Sequence, residues 1–97
     1  MTIEPDMIIS VRFKLTSEGG RKTPLKGRFY ACPLLIDGEA FDCRIFLTEE
    51  VQLGKDYRLP VKFLNPDLAI PKLASGKHFT LWEGRDVADG QVVEVRR

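Results

Sequence analysis

Two cysteines, one histidine and a glycine-rich basic loop are the parts of this chain whose residue types could do chemistry. Cys32 and Cys43 stand eleven positions apart, without a CxxC spacing, and His78 is the only histidine. A zinc site takes about four ligands, so no metal site is expected, and no cofactor fingerprint is present. A nucleophilic triad needs a base beside Ser, Cys or Thr; His78 opens a predicted strand and reads as a surface or strand-edge residue. Glu49 and Glu50 adjoin a turn, where solvated acids are ordinary. Nothing near either cysteine in sequence would lower a thiol pKa. Free buried thiols are expected, a disulfide requiring the two strands to pair. A phosphate-binding P-loop needs G-x-x-x-x-G-K-[ST] between a strand and a helix. Here Gly20-Arg21-Lys22-Thr23 has no glycine five places earlier and runs into Pro24, which argues against nucleotide hydrolysis. The chain reads as a non-enzyme.

What remains are binding candidates. Arg21, Lys22, Lys26 and Arg28 form a basic cluster in "LTSEGGRKTPLKGRFY", residues 15–30. It reads either as a solvated face or as a phosphate-contacting surface. Trp82 falls on the strand face opposite Phe79 and Leu81, so it points outward. An outward Trp serves as a stacking platform or interface anchor, or packs against a loop.

The elements that must position these residues have a period of two. In "MIISVRFKL" Ile9, Val11, Phe13 and Leu15 alternate with Ser10, Arg12 and Lys14, the pattern of a half-buried strand. "RFYACPLLI" is a second strand, with Pro33 marking an edge or bulge. Asp37-Gly38 predicts a hairpin turn. "AFDCRIFL" alternates Phe41, Cys43, Ile45 and Leu47 against Asp42, Arg44 and Phe46. "YRLPVKFL" turns Tyr57, Leu59, Val61 and Phe63 one way and Pro60 the other. "KHFTLWE" is a fifth strand. Asp89-Gly90 predicts a last tight turn before "QVVEVRR". About six short strands with regular turn signals point to an all-β barrel or sandwich. In "NPDLAIPKLASG", residues 65–76, the two prolines allow at most one helical turn. This stretch predicts the long crossover of a Greek key. Gly19 and Gly20 are expected to supply positive φ, and Pro24 to stiffen the loop exit.

Composition agrees. The 97 residues are 43% apolar and 30% charged, a single domain, residues 1–97, with one modest core. The formal net charge of +1 argues against a strong non-specific nucleic-acid binder. The N-terminus carries acids ahead of its apolar run, unlike a signal peptide. No stretch reaches the ~20 apolar residues of a membrane span. A cytoplasmic location is the default expectation, with no membrane partner.

"TSEGGRKTPLKG" resembles a loop in the C-terminal β-barrel domain of elongation factor Tu, where the pattern is E-G-G-R-x-T-P. Residues 54–95, "GKDYRLPVKFLNPDLAIPKLASGKHFTLWEGRDVADGQVVEV", resemble that domain's ending, a strand and a proline-containing crossover leading to G-x-R-F-A-I-R-E-G-G-R. The resemblance implies a six-stranded antiparallel Greek-key β-barrel of that domain type. It also implies descent from a translation factor whose GTPase domain has no counterpart in these residues. In the family this domain grips the stem backbone of aminoacyl-tRNA and contacts a nucleotide-exchange protein. The matching positions here are Arg21, Lys22, Glu83 and Gly84. Trp82 replaces the family's Arg before Glu-Gly, and one glycine of E-G-G-R is missing in "EGR". The resemblance therefore implies a kept fold with altered function. Two functions follow as expectations. The first is a non-catalytic module docking a protein partner, with a link to translation. The second is an RNA-binding module contacting a tRNA stem backbone. The candidate residues for either are Arg21, Lys22, Lys26, Arg28, Trp82, Glu83 and Gly84.

Overall fold

The structure, a computed structural model, describes residues 4–96. The first three residues of the predicted N-terminal segment, and Arg97 at the end of the last predicted strand, lie outside the described residues.

Alternation closes into a barrel. The strands are β1 (Met7–Phe13), β2 (Phe29–Ile36), β3 (Glu39–Phe46), β4 (Asp56–Phe63), β5 (His78–Trp82) and β6 (Asp86–Val95), with one short helix, α1 (Pro66–Ala69), between β4 and β5. Around the barrel the order is β1-β4-β3-β2-β5-β6, closed and antiparallel throughout. β2, β3 and β4 run consecutively, and β5 returns over a long connection to lie beside β2. That is Greek-key winding.

Every second side chain points inward. β1 buries Met7, Ile9, Val11 and Phe13 and leaves the residues between them half-exposed. β4 buries Leu59, Val61 and Phe63. Asp6, just before β1, is buried at 1% exposure. Its carboxylate accepts the Phe63 N–H at 2.8 Å. Its backbone N–H donates to Val61 and its carbonyl accepts from Arg96, each at 2.9 Å. The two chain ends and β4 are thereby joined at one buried residue.

The two strand prolines sit where ladders stop. Leu47 N–H donates to the Arg28 carbonyl at 2.9 Å, which sets the alternation along β2. Even-numbered residues aim their backbone groups at β3, so Pro33 aims its missing N–H at the β5 side. There pairing involves only Leu34 and Leu35. Likewise Leu64 N–H reaches the Asp42 carbonyl, so Pro60 faces β3 just past the last paired residue, Val61. A proline is tolerated at such unladdered positions.

Four expectations need correction. Leu15 does not continue the buried stripe and is 42% exposed. The Glu18 carboxylate accepts the Leu15 N–H at 2.8 Å and draws the chain into a 3₁₀ turn at Thr16–Glu18. Asp89-Gly90 is not a turn but lies inside the ten-residue β6, Gly90 pairing with Val11 and Phe79. The turn falls earlier, at Glu83-Gly84-Arg85, where Glu83 N–H donates to the Arg85 carbonyl and Gly84 has φ 75°. Of the loop glycines, Gly19 has φ 89°, but Gly20 is needed for close approach. A Cβ there would lie 2.7 Å from the Lys14 carbonyl carbon and 2.9 Å from the Leu15 oxygen. Finally, the crossover holds a second turn. A 3₁₀ turn at Ile70–Lys72 follows α1, and each opens with its proline in the first positions, where a missing N–H costs nothing. Asp37-Gly38 does form the β2–β3 turn, with φ 52° and 78°, the paired positive values of a type I′ hairpin.

Candidate functional site

The loop between β1 and β2 brings Arg21 to the β5–β6 hairpin. Thr16 Oγ1 donates to the Arg21 carbonyl at 2.6 Å, and Arg21 Nε donates to the Thr23 carbonyl at 3.4 Å. The loop thus folds on itself and aims the guanidinium inward. Its Cζ lies 5.2 Å from the centre of the Tyr30 ring, and Nη1 is 2.5 Å from Glu83 Oε2. The Tyr30 hydroxyl donates to the same carboxylate oxygen. The Tyr30 ring meets Phe13 edge-on at 5.6 Å, anchoring the cluster to the core.

These contacts set the protonation states. Burial, and then the hydrogen bond to Glu83, push the Tyr30 phenol well above its ordinary value. Burial by itself would raise Glu83, but the Tyr30 hydroxyl and the Arg21 guanidinium together hold it below the usual carboxylate range. At neutral pH the cluster is a neutral phenol, a carboxylate and a guanidinium. Its charges cancel, and it pins the loop to the hairpin. A cleft of about 270 Å³ beside it is lined by Lys22, Thr23 and Arg85 together with Arg21 and Glu83.

The structure therefore gathers Arg21, Lys22 and Glu83, with Gly84 at the hairpin tip. Trp82 immediately precedes them, outward on β5 and 42% exposed. Lys26 stands apart, its nearest acid being Glu50 in the β3–β4 connection at 3.9 Å. Arg28 is exposed just before β2. Sequence reading missed Tyr30 and Arg85. Tyr30 carried one signal, being the first position of the inward alternation of β2.

A second surface lies on the outside of β2 and β3. Phe29 and Phe46 face each other across the strands, ring centres 6.5 Å apart, and Arg44 Cζ lies 5.0 Å above Phe29. Pro33 is opposite Asp42, and Leu64 bonds to Asp42 from the far side. The β2–β5 register carries Trp82 level with Pro33. Leu64, Asp42, Pro33 and Trp82 thus form a row about 14 Å across at ordinary strand spacing. Phe29, Leu64 and Trp82 are 46%, 63% and 42% exposed. A cleft of about 310 Å³ lies beside Leu64, over Ala31, Pro33, Asp42 and Arg44.

The cysteines are free and buried, directly opposite each other on β2 and β3. Cys43 Sγ lies 3.4 Å from the Cys32 carbonyl. Its contact with Cys32, and then burial, push its pKa far up, so it stays a thiol and is a poor nucleophile. His78 is exposed on β5, with Nε2 3.1 Å from Gln91 Nε2. Among the described residues no three His, Cys, Asp or Glu side chains gather as a metal site, and no helix is long and apolar enough to cross a membrane. A scan against protein-family models matches none, and no curated protein matches the chain.

Proposed function

We propose that the protein is a non-catalytic docking module of the elongation factor Tu C-terminal barrel type, which binds a protein partner through the outer face of β2, β3 and β5. The observation that carries this is the outward Trp82, level with Pro33 and on the same outer face as exposed Phe29 and Leu64. Interface energy concentrates in Trp, Tyr and Arg anchors surrounded by apolar contacts, and Trp82 with Arg44 supplies both kinds. The kinship is supported by the E-G-G-R-x-T-P loop, the order of the remaining segments and the Greek-key winding. A link to translation belongs to the same proposal.

RNA binding is the second reading, favoured by Lys22 and Arg85 in one cleft. It ranks lower because Glu83 offsets Arg21. The two remaining cations of this cleft would by themselves give a salt slope of only about −2, against the 6–10 phosphate contacts typical of firm binders.

A photo-crosslinking residue placed at Leu64 in cells tests the docking reading, with the same residue at Asp89 on β6 as the control. A discrete adduct from Leu64, lost on Trp82→Ala and missing from Asp89, is expected. Equal adducts from both faces, or none, would refute it. A gel shift with tRNA that persists when Lys22 and Arg85 are intact and vanishes on their reversal would favour the second reading instead.

A further inference from the structure

We infer that the partner is held as a short extended acidic segment that adds to the open edge of β2 at Phe29 and Ala31; this rests on the docking reading above. The alternation along β2 sends the N–H and C=O of Phe29 and Ala31 away from β3. β5 meets β2 in register only at Leu34 and Leu35, so no ladder pairs with these groups. Among the described residues, no hydrogen bond outside the strand ladders involves the backbone of either one. Ala31 is exposed and Phe29 is nearly half so. These are donors and acceptors in strand geometry, the template for an added strand. Pro33 ends the template, since it has no N–H to offer. The unpaired stretch matches about three to five residues of an added strand, at ~3.4 Å each.

The surroundings select the chemistry of the occupant. Arg28 precedes the edge, and Arg44 lies over Phe29 and is paired in register with Lys62. Lys22 and Arg85 line the cleft by the neighbouring hairpin. Glu83 is already engaged by Arg21 and Tyr30, which leaves Asp42 and Asp86, the latter paired with Trp82, as acids on this outer face against the five cations. Positive charge thus borders the edge, and exposed aromatic surface lies beside it. The matching segment carries carboxylates with apolar residues between them. A second copy fits less well, because joining two β2 edges would bring together two surfaces of the same positive sign, each bearing Arg28 and Arg44.

The probe is a capped hexapeptide alternating Glu and Val, with a Lys and Val peptide as control, added to the full ¹⁵N-labelled chain. At a concentration about ten times its Kd, exchange of the Phe29 and Ala31 amides slows about tenfold. The Tyr30 and Cys32 amides, already turned to β3, do not change, and the Lys peptide has no effect. Ala31→Pro removes an edge donor without touching the β2–β3 ladder and weakens peptide binding at least about tenfold. Should that variant not fold, exchange in the unaltered chain still decides. Unchanged exchange at Phe29 and Ala31 overturns the inference. If the Leu64 adduct nevertheless forms and needs Trp82, the docking reading stands without the edge; if both fail, both fall. Protection that appears with protein concentration alone, alongside a dimer in sedimentation, assigns the edge to a second copy and overturns the acidic partner.

Discussion

Replacing Gly90 with Ala tests the path of β6 through the barrel wall. The new methyl would lie 2.6 Å from the Ser10 carbonyl oxygen on β1 and 2.8 Å from Cε1 of Phe79 on β5, where ordinary contact begins at 3.4 Å. Both neighbours would have to move, and one of them is backbone. Overpacking of this kind costs about 1–3 kcal/mol. In a domain of this size each kcal/mol lowers Tm by about 4–8 °C, so a fall of roughly 5–20 °C is expected. Phe79→Leu shortens the side chain that meets the methyl and relieves part of the clash. The double-mutant cycle should therefore show coupling of about 0.5–1.5 kcal/mol. Urea titrations of the four proteins measure it, provided the m-values agree. Additivity within about 0.3–0.5 kcal/mol would mean that Gly90 and Phe79 do not meet, and the β5–β6 register would be wrong.

Tyr30 and Glu83 give opposite pH signatures. The folded Tyr30 value is raised, so its contribution is complete below about pH 10, where the unfolded phenol titrates, and falls as pH rises beyond it; Tyr30→Phe should flatten that alkaline limb in thermal melts. The folded Glu83 value is lowered, so its contribution is present above the ordinary value of 4.5 and is lost as pH falls through the folded value; Glu83→Gln should remove that acid dependence, with a small effect because the pair is largely solvated. Asp6→Ala leaves the buried Phe63 N–H without its carboxylate and should cost about 1–3 kcal/mol in denaturant titration, with Asp6→Asn milder because an acceptor remains. Trp82→Ala, at an exposed site, should change stability by less than about 0.5 kcal/mol while abolishing the Leu64 adduct.

The strand interiors were legible because burial on a two-residue period leaves a mark in every strand. Ile9, Val11 and Phe13 could be placed on one face, and Trp82 on the other, without coordinates. The Asp37-Gly38 turn was legible for a local reason, since both residues tolerate positive φ. The same dipeptide logic failed at Asp89-Gly90. There the glycine answers to Ser10 and Phe79, both distant in sequence. Lys26 was grouped with Arg21 by proximity along the chain, yet the loop turns it toward Glu50.

Composition and alternation alone determine that this chain builds an all-β wall around a single core, because side-chain direction in a strand is a local property. Pairing partners are not local. The Tyr30–Glu83–Arg21 cluster joins residues up to 62 positions apart, and the bare stretch of β2 exists only because β5 stops at Trp82. Which side chains meet, and which backbone groups are left facing outward, was decided by how the strands close on one another.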